Sequence, residues 1–336
     1  MTKWTNSVIL LCIILIFGST SAAFGSSFTF TNIRLQNALT LSLSAINDRG
    51  QIAGYASGVT HNSDGFLYQS GKFTTVNFPT GSSTVPESIN NRGNIVGYYF
   101  DGMSNHGFLY SSGSFHTIDF PGAIETNPSH INNHGDIIGW YRDSENKYHG
   151  FLYSSGSFHT IDFPGAIETV PTQNNKYGNI VGWYEYTIAN PHGFMMDSSG
   201  NFRTIDYPGA QISSLNGIND HGQIIGSYSN NASGPISHCF FYSKGTFKSI
   251  GFPHDDGSGC TGINNQGQIV GTYYKGDVSH GMLYSVGKLA TVDFPNSSST
   301  HLIGINNKGH ILGHHDNEGF LATLNENKQD NNNQDE

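Results

Sequence analysis

The chain has 336 residues, with 25 acidic against 15 basic side chains and only 12% of residues charged. Its 42 glycines and its wealth of Asn, Ser, Tyr and Phe argue against a mainly helical fold. A net charge of −10 argues against nucleic acid as a partner, since phosphate binding needs a basic face.

The first 25 residues read as an export signal. Lys3 gives a positive start, residues 8–17 form an unbroken apolar run, and small residues at 19–25 allow cleavage after Ala23 or after Gly25. The apolar run is about ten residues long, too short to cross a bilayer. No second such run follows, so the mature chain is expected to be secreted, soluble and free of any membrane span. The periplasm or the cell surface would also fit.

From residue 26 to 324 the chain is written in repeats of about 43 residues. Variants of Ile-Asn-Asn/Asp-x-Gly-x-Ile-Val/Ile-Gly occur seven times, with the first Gly at 50, 93, 135, 178, 222, 267 and 309. Variants of Gly-Phe-Leu-Tyr also occur seven times, from Gly65, Gly107, Gly150, Gly193, Cys239, Gly281 and Gly319. Phe-x-Thr-Ile-Asp-Phe-Pro occurs six times, with prolines at 79, 121, 164, 208, 253 and 295. Each unit resolves into four strands, lettered A to D. Strand A ends at the Ile before Asn-Asn, and the Asn-x-Gly turn that follows uses residues that tolerate positive φ. Strands B and C are apolar on consecutive residues, as a sheet covered on both faces requires. Strand D ends at the Pro. A period of 40–45 with four strands is a propeller signature.

The seventh unit stops after its strand C, near Leu324, and its missing strand D lies at the other end. Phe30, Ile33 and Leu35 align without gaps to Phe115, Ile118 and Phe120. The expected fold is therefore all-β: a seven-bladed β-propeller of four-stranded blades, its last blade completed by an N-terminal strand. An open solenoid would leave these edges bare. Residues 106–126 and 149–169 are identical, a mark of internal duplication. The polar tail 325–336 is expected to be disordered.

The pairing of Ile-Asn-x-x-Gly-x-Ile-Val-Gly with a downstream His-Gly-Phe-Leu-Tyr resembles the HAF repeat family of bacterial extracellular proteins. The element reads His106-Gly107-Phe108, His149-Gly150-Phe151, His192-Gly193-Phe194, His238-Cys239-Phe240 and His280-Gly281-Met282, with Gly where the family has Ala. The resemblance covers nearly the whole mature chain and implies export and a repeat fold, but no activity.

Candidate chemistry is sparse. Copies of the strand-C histidine should lie roughly 15 Å apart in neighbouring blades, so they cannot converge on one metal ion. His106, His149, His192, His238 and His280 are thus read as structural, tying strand C to the next loop, with Asp64 and Glu318 as substitutes. No metal or cofactor site is expected. The recurring Asp119, Asp162, Asp206 and Asp293 are too scattered for a glycosidase pair and are read as turn and edge solvation. Aromatics where strand B meets its loop are more telling: Tyr98, Trp140, Trp183, Tyr228 and Tyr273 are the candidate binding residues, on the face carrying the long B–C and D–A loops. Packing between blades is the competing role, although the second ring of each pair is expected to face solvent. Cys239 and Cys260 lie near each other in the predicted fold and can form a disulfide. Asn231 and Asn296 match glycosylation sequons.

The primary expectation is a monomeric, non-enzymatic binding module with a glycan or protein ligand. A secreted carbohydrate-active hydrolase or lyase is the alternative, with His254, Asp255, Asp256 and Glu185 near blades 4–6 as first suspects. A structural cell-surface component is a third.

Overall fold

The computed structural model describes residues 18–21, 26–36, 38–58, 62–231 and 237–325, and every regular element among them is a β-strand. Blade 3 is typical: strands A to D are Glu125–Ile131, Ile137–Arg142, Tyr148–Ser154 and Ser157–Ile161, antiparallel and in that order across the sheet. Blades 1, 2, 4, 5 and 6 begin with Thr40–Ile46, Ser83–Ile89, Glu168–Asn174, Ile212–Ile218 and Ser258–Ile263. Blade 7 draws Thr300–Ile305, Ile311–His315 and Glu318–Leu324 from one end of the chain and Ser26–Ile33 from the other.

That last pairing closes the ring. Phe28 faces Leu324 and Ile33 faces Gly319. Phe30 is fully buried, with its ring 5.5 Å from Phe294 and 5.6 Å from Phe320. Gly18–Ser21 runs outside Ser26–Ile33 as a fifth strand, within the stretch read as the export signal. The rest of that stretch and the tail from 326 lie outside the described residues.

Two consecutive apolar residues open strand B in every blade, and each feeds a different core. Ile137 packs with Val96 and Phe151, while its neighbour Ile138 packs with Ile180 and Phe194. Adjacent strand residues point to opposite sheet faces, so one dipeptide seals two inter-blade seams. Strand A carries a bulge in each blade, as between Pro128 and His130. The bulge presses a carbonyl onto strand B: a Cβ on Gly139 would sit 2.2 Å from the Asn127 oxygen, which is why the motif ends in Gly.

The Asn of Ile-Asn-Asn does more than allow a turn. Its Oδ1 accepts backbone N–H groups within its own A–B turn, as Asn132 does from His134 and Asp136. Its Nδ2 donates to the carbonyl of the same Asn one blade on. Asn47, Asn90, Asn132, Asn175, Asn219, Asn264 and Asn306 thereby form a closed circle of seven hydrogen bonds of 2.9–3.1 Å around the axis.

Candidate functional site

The strand-B aromatics divide into two sets that the sequence reading had merged. Tyr98, Trp140 and Trp183 directly follow the strand-B glycine, as does Tyr55, and all four are half-buried. The same position holds Ser227, Thr272 and His314 in blades 5, 6 and 7. One sector of the ring, blades 1–4, is thus aromatic at this position, and the other is small or polar. Tyr228 and Tyr273 sit one residue further along and point to the other sheet face. Their register mates are Tyr99, Tyr141 and Tyr184, and the rings are packed between blades.

The second ring of a pair was expected in solvent; Tyr274 is exposed, but Tyr99, Tyr141 and Tyr184 are buried instead, 3–8% exposed, as is their register mate Tyr228 at 9%. The reason is a repeated stack. Phe120, from the loop leaving blade 2, lies 3.7 Å from Tyr141, which stacks in turn on His149 at 5.0 Å. Tyr207 covers Tyr228 at 3.8 Å, and Phe252 and His280 flank Tyr273. The tyrosine hydroxyls meet strand-D hydroxyls, as in Tyr273 with Thr291 at 2.9 Å.

The histidines bracket their own blade. His106, His149, His192 and His280 place Nδ1 2.7–2.9 Å from Asp119, Asp162, Asp206 and Asp293. In Asp119, Asp206 and Asp293 the other oxygen accepts a strand-C N–H, as from Gly107 at 3.0 Å. These aspartates are therefore partners of histidine rather than edge solvation, and the His ties strand C to the end of strand D. Blade 1 keeps the joint with Asp64 and Asn77 at 2.6 Å, and blade 7 with Glu318 and Arg34 Nε at 2.7 Å. In blade 5, Gly251 holds the Asp position, so His238 has no carboxylate there. Burial opposes the charge on His106, but hydrogen bonding and charge from Asp119, then Asp101, outweigh it and raise its pKa.

Cys239 and Cys260 are joined by a disulfide with Cα atoms 5.2 Å apart, both buried. Cys239 is on strand C of blade 5 and Cys260 on strand A of blade 6, so the bond staples two blades.

Near the axis one carboxyl departs from its column. The bulge residue of strand A is Ser129, Thr172, Asn216 and Thr261 in blades 3–6, and each donates to a strand-A carbonyl of the next blade at 2.8–3.3 Å. Blade 2 has Glu87 there. Burial raises its pKa to about 7. Burial, the Glu87 charge, Tyr55 and Glu125 together push the Tyr98 phenol to about 12. Sequence reasoning missed Glu87; a carboxyl in a column of hydroxyls and amides was the signal.

The suspected acids and bases of blades 4–6 are occupied with turns. Asp255 accepts Phe252 N–H at 2.9 Å, Asp256 accepts Gly276 N–H at 2.7 Å, and Glu185 accepts Ala189 N–H at 3.1 Å. His254 sits in the left-handed region at φ 63°. A cavity of about 160 Å³ opens at the axis on the short-turn face, lined by the Ile-Asn-Asn motifs with His130 and Gln173. His130 Nδ1 lies 2.7 Å from Asn174 Oδ1, and burial lowers its pKa. Among the described residues no three His, Cys, Asp or Glu are grouped to hold a metal ion, and no helix is long and apolar enough to cross a membrane.

Exposed apolar side chains gather on the long-loop face. Phe100, Met103 and Tyr148 lie in B–C loops or at their ends, as do Tyr186, Ile188, Tyr274 and Val278; Leu39, Ile124 and Ile167 lie in D–A loops. The short-turn face has Tyr177, Val286 and, at the end of blade 7's strand C, Leu324. Backbone bonds from Ile124 to Arg142 and from Ile167 to Glu185 set each isoleucine beside the B–C loop of the blade it enters. A band over blades 2–4 results, at the rim of the aromatic sector.

No family model matches the chain, and no curated protein does. Solved structures do. A streptogramin B lyase shares 13% identity at a TM-score of 0.56, over 90% of this chain and 99% of its own. The β-propeller domain of the Trilobed protease from Pyrococcus furiosus shares 10% at 0.57, over 85% and 93%. TolB from Acinetobacter baumannii shares 12% at 0.50, over 72% and 64%. At such identities the likeness is one of fold: the chain is a seven-bladed β-propeller.

Proposed function

We propose that this chain is an exported, non-enzymatic binding propeller of the HAF-repeat type that takes a glycan or protein ligand on its long-loop face, over blades 2–4. The observation that carries the reading is the coincidence there of the half-buried rings Tyr98, Trp140 and Trp183 with the exposed apolar band. Flat rings suit sugars or protein anchors, and exposed apolar patches mark interaction sites. Export is supported by the signal-like N-terminus and by the Cys239–Cys260 bond, since disulfides persist in oxidising compartments. Titration of the mature protein with a glycan panel and with peptides, followed by tryptophan fluorescence, tests it. Trp140→Ala and Trp183→Ala should weaken binding about tenfold or more.

A hydrolase or lyase is the second reading, and one observation favours it. Glu87, with its pKa near 7 beside Tyr98, has the perturbed acidity of a general acid or base. Turnover of a polysaccharide that is lost in Glu87→Gln while binding persists would replace the first reading with this one.

A further inference from the structure

The binding face differs from the opposite face in charge as well as in apolar content. Its loops and adjoining strand ends carry Asp64, Asp101, Glu125, Asp143, Glu168, Glu185 and ten further carboxylates, against Arg34, Arg142, Lys147 and Lys275. The short turns carry the reverse excess: Arg49, Arg92, Lys176 and Lys308 on the inner turns and Lys72, Lys244 and Lys288 on the outer ones, against Asp48, Asp136, Asp197 and Asp220. Of the 21 carboxylates among the described residues, sixteen thus lie on one side, and the molecule is polarised.

On blades 2–4 the negative charge is uncompensated where the apolar band lies. The two cations of that sector are already paired, Arg142 with Glu125 at 3.0 Å and Lys147 with Glu145 at 2.7 Å. Asp101 and Asp143 accept loop N–H groups that hold their carboxyls below the ordinary range. Between these charges stand aliphatic side chains, with Met103 and Ile188 almost wholly exposed and Ile167 half exposed. Sugars stack on flat rings but gain little from branched aliphatic tips, whereas a polypeptide buries such tips and pairs its cations with the carboxylates around them.

Resting on the binding-module reading, we infer that the occupant of this face is a basic, partly apolar polypeptide segment, its apolar side chains seated on Met103, Ile124, Ile167 and Ile188 and its cations among the surrounding carboxylates. A second copy of the chain offers the required positive charge on its short-turn face. It offers little apolar complement, since that face exposes only Tyr177, Val286 and Leu324 among the described large apolar side chains. A separate partner fits both properties.

The test uses the mature protein and three synthetic peptides: alternating Lys and Leu, alternating Glu and Leu, and alternating Lys and Ser. Affinity is read by calorimetry at about 50 and about 500 mM salt, where screening lengths differ severalfold. The Lys/Leu peptide should bind, and the other two at least about tenfold more weakly, because charge and apolar contact are both needed. High salt should weaken the Lys/Leu complex. Ile167→Ser with Ile188→Ser should weaken it about tenfold without moving the melting temperature, while Tyr177→Ser on the opposite face should leave it unchanged. Equal binding of the Glu/Leu peptide, or an unaltered affinity in the rim variant, overturns the inference. So does salt-sensitive self-association that the same rim variant abolishes, which would make a second copy the occupant. A neutral oligosaccharide that binds and is lost in Trp140→Ala, with the Lys/Leu peptide ignored, overturns this inference and leaves the binding module standing. Binding of neither overturns both.

Discussion

The seam between blades 3 and 4 and the seam between blades 5 and 6 do the same job with different chemistry. In the first, Gly150 on strand C faces Pro171 on the next strand A so closely that a Cβ would come within 2.7 Å of the proline ring. Asp162 takes the neighbouring His149, and Thr169 Oγ1 accepts Phe163 N–H at 3.0 Å. In the second, Cys239 and Cys260 stand in those two places and are bonded. Gly251 replaces the aspartate, Ser258 Oγ turns to Cys239 N–H at 3.2 Å, and Asp255 takes over the loop N–H of Phe252. A side chain at a position built for glycine therefore came with four further changes, at Gly251, Asp255, Ser258 and Cys260, spread over some twenty residues and adjacent only in space. Each seam is one cooperative joint, and its members are interchangeable only as a set.

Four measurements would break or sharpen this comparison. The largest effect belongs to the strand-C side chains Phe194 and Met282, which are fully buried in the first and second seam respectively. Phe194→Ala should cost about 3–5 kcal/mol in denaturant unfolding and Met282→Ala about 2–5 kcal/mol. A much smaller cost for Met282→Ala would mean that the disulfide alone carries the second seam. Next, the Cys239→Ala/Cys260→Ala protein should lose roughly 3 kcal/mol, the chain-entropy expectation for a closed loop of this length. Its melting temperature should no longer respond to reductant, whereas that of the parent should fall.

The seam between blades 2 and 3 allows a subtler contrast, Glu87 against Ser129 one blade on. A carboxyl whose folded pKa is raised to about 7 stabilises the protein only while protonated, and stability falls as pH rises from the unfolded value through the folded one. Glu87→Gln should therefore gain roughly 1–3 kcal/mol at pH 8 and almost nothing at pH 4. The smallest effect concerns His106, whose folded pKa is raised. Its contribution is complete below the unfolded value near 6.5 and is lost as pH rises through the folded pKa. His106→Gln should flatten the melting temperature between pH 6 and 8.

Much of this was legible in the chain. The spacing of Ile-Asn-Asn and Gly-Phe-Leu-Tyr gave seven blades, and the displaced Phe30 strand gave closure. Tyr228 and Tyr273 were misplaced because blades 5 and 6 put Ser227 and Thr272 where blades 1–4 have an aromatic ring. An aligned list of rings hides that one-residue slip, and one residue reverses the face. The partnership of His149 with Asp162 was invisible for another reason: the two lie thirteen residues apart and meet only across the C–D hairpin.

The sequence by itself determined the architecture, because periodic burial is a local property: two consecutive apolar residues per strand B demand a blade on either side, and seven copies with a displaced strand demand a ring. Tertiary structure alone decided which side chains are used for what. Ring stacking, the circle of asparagine bonds, the paired cysteines and the acidic, apolar rim all depend on residues from different blades meeting at defined distances. Such meetings follow from how the blades are turned about the axis, a geometry that no single repeat contains.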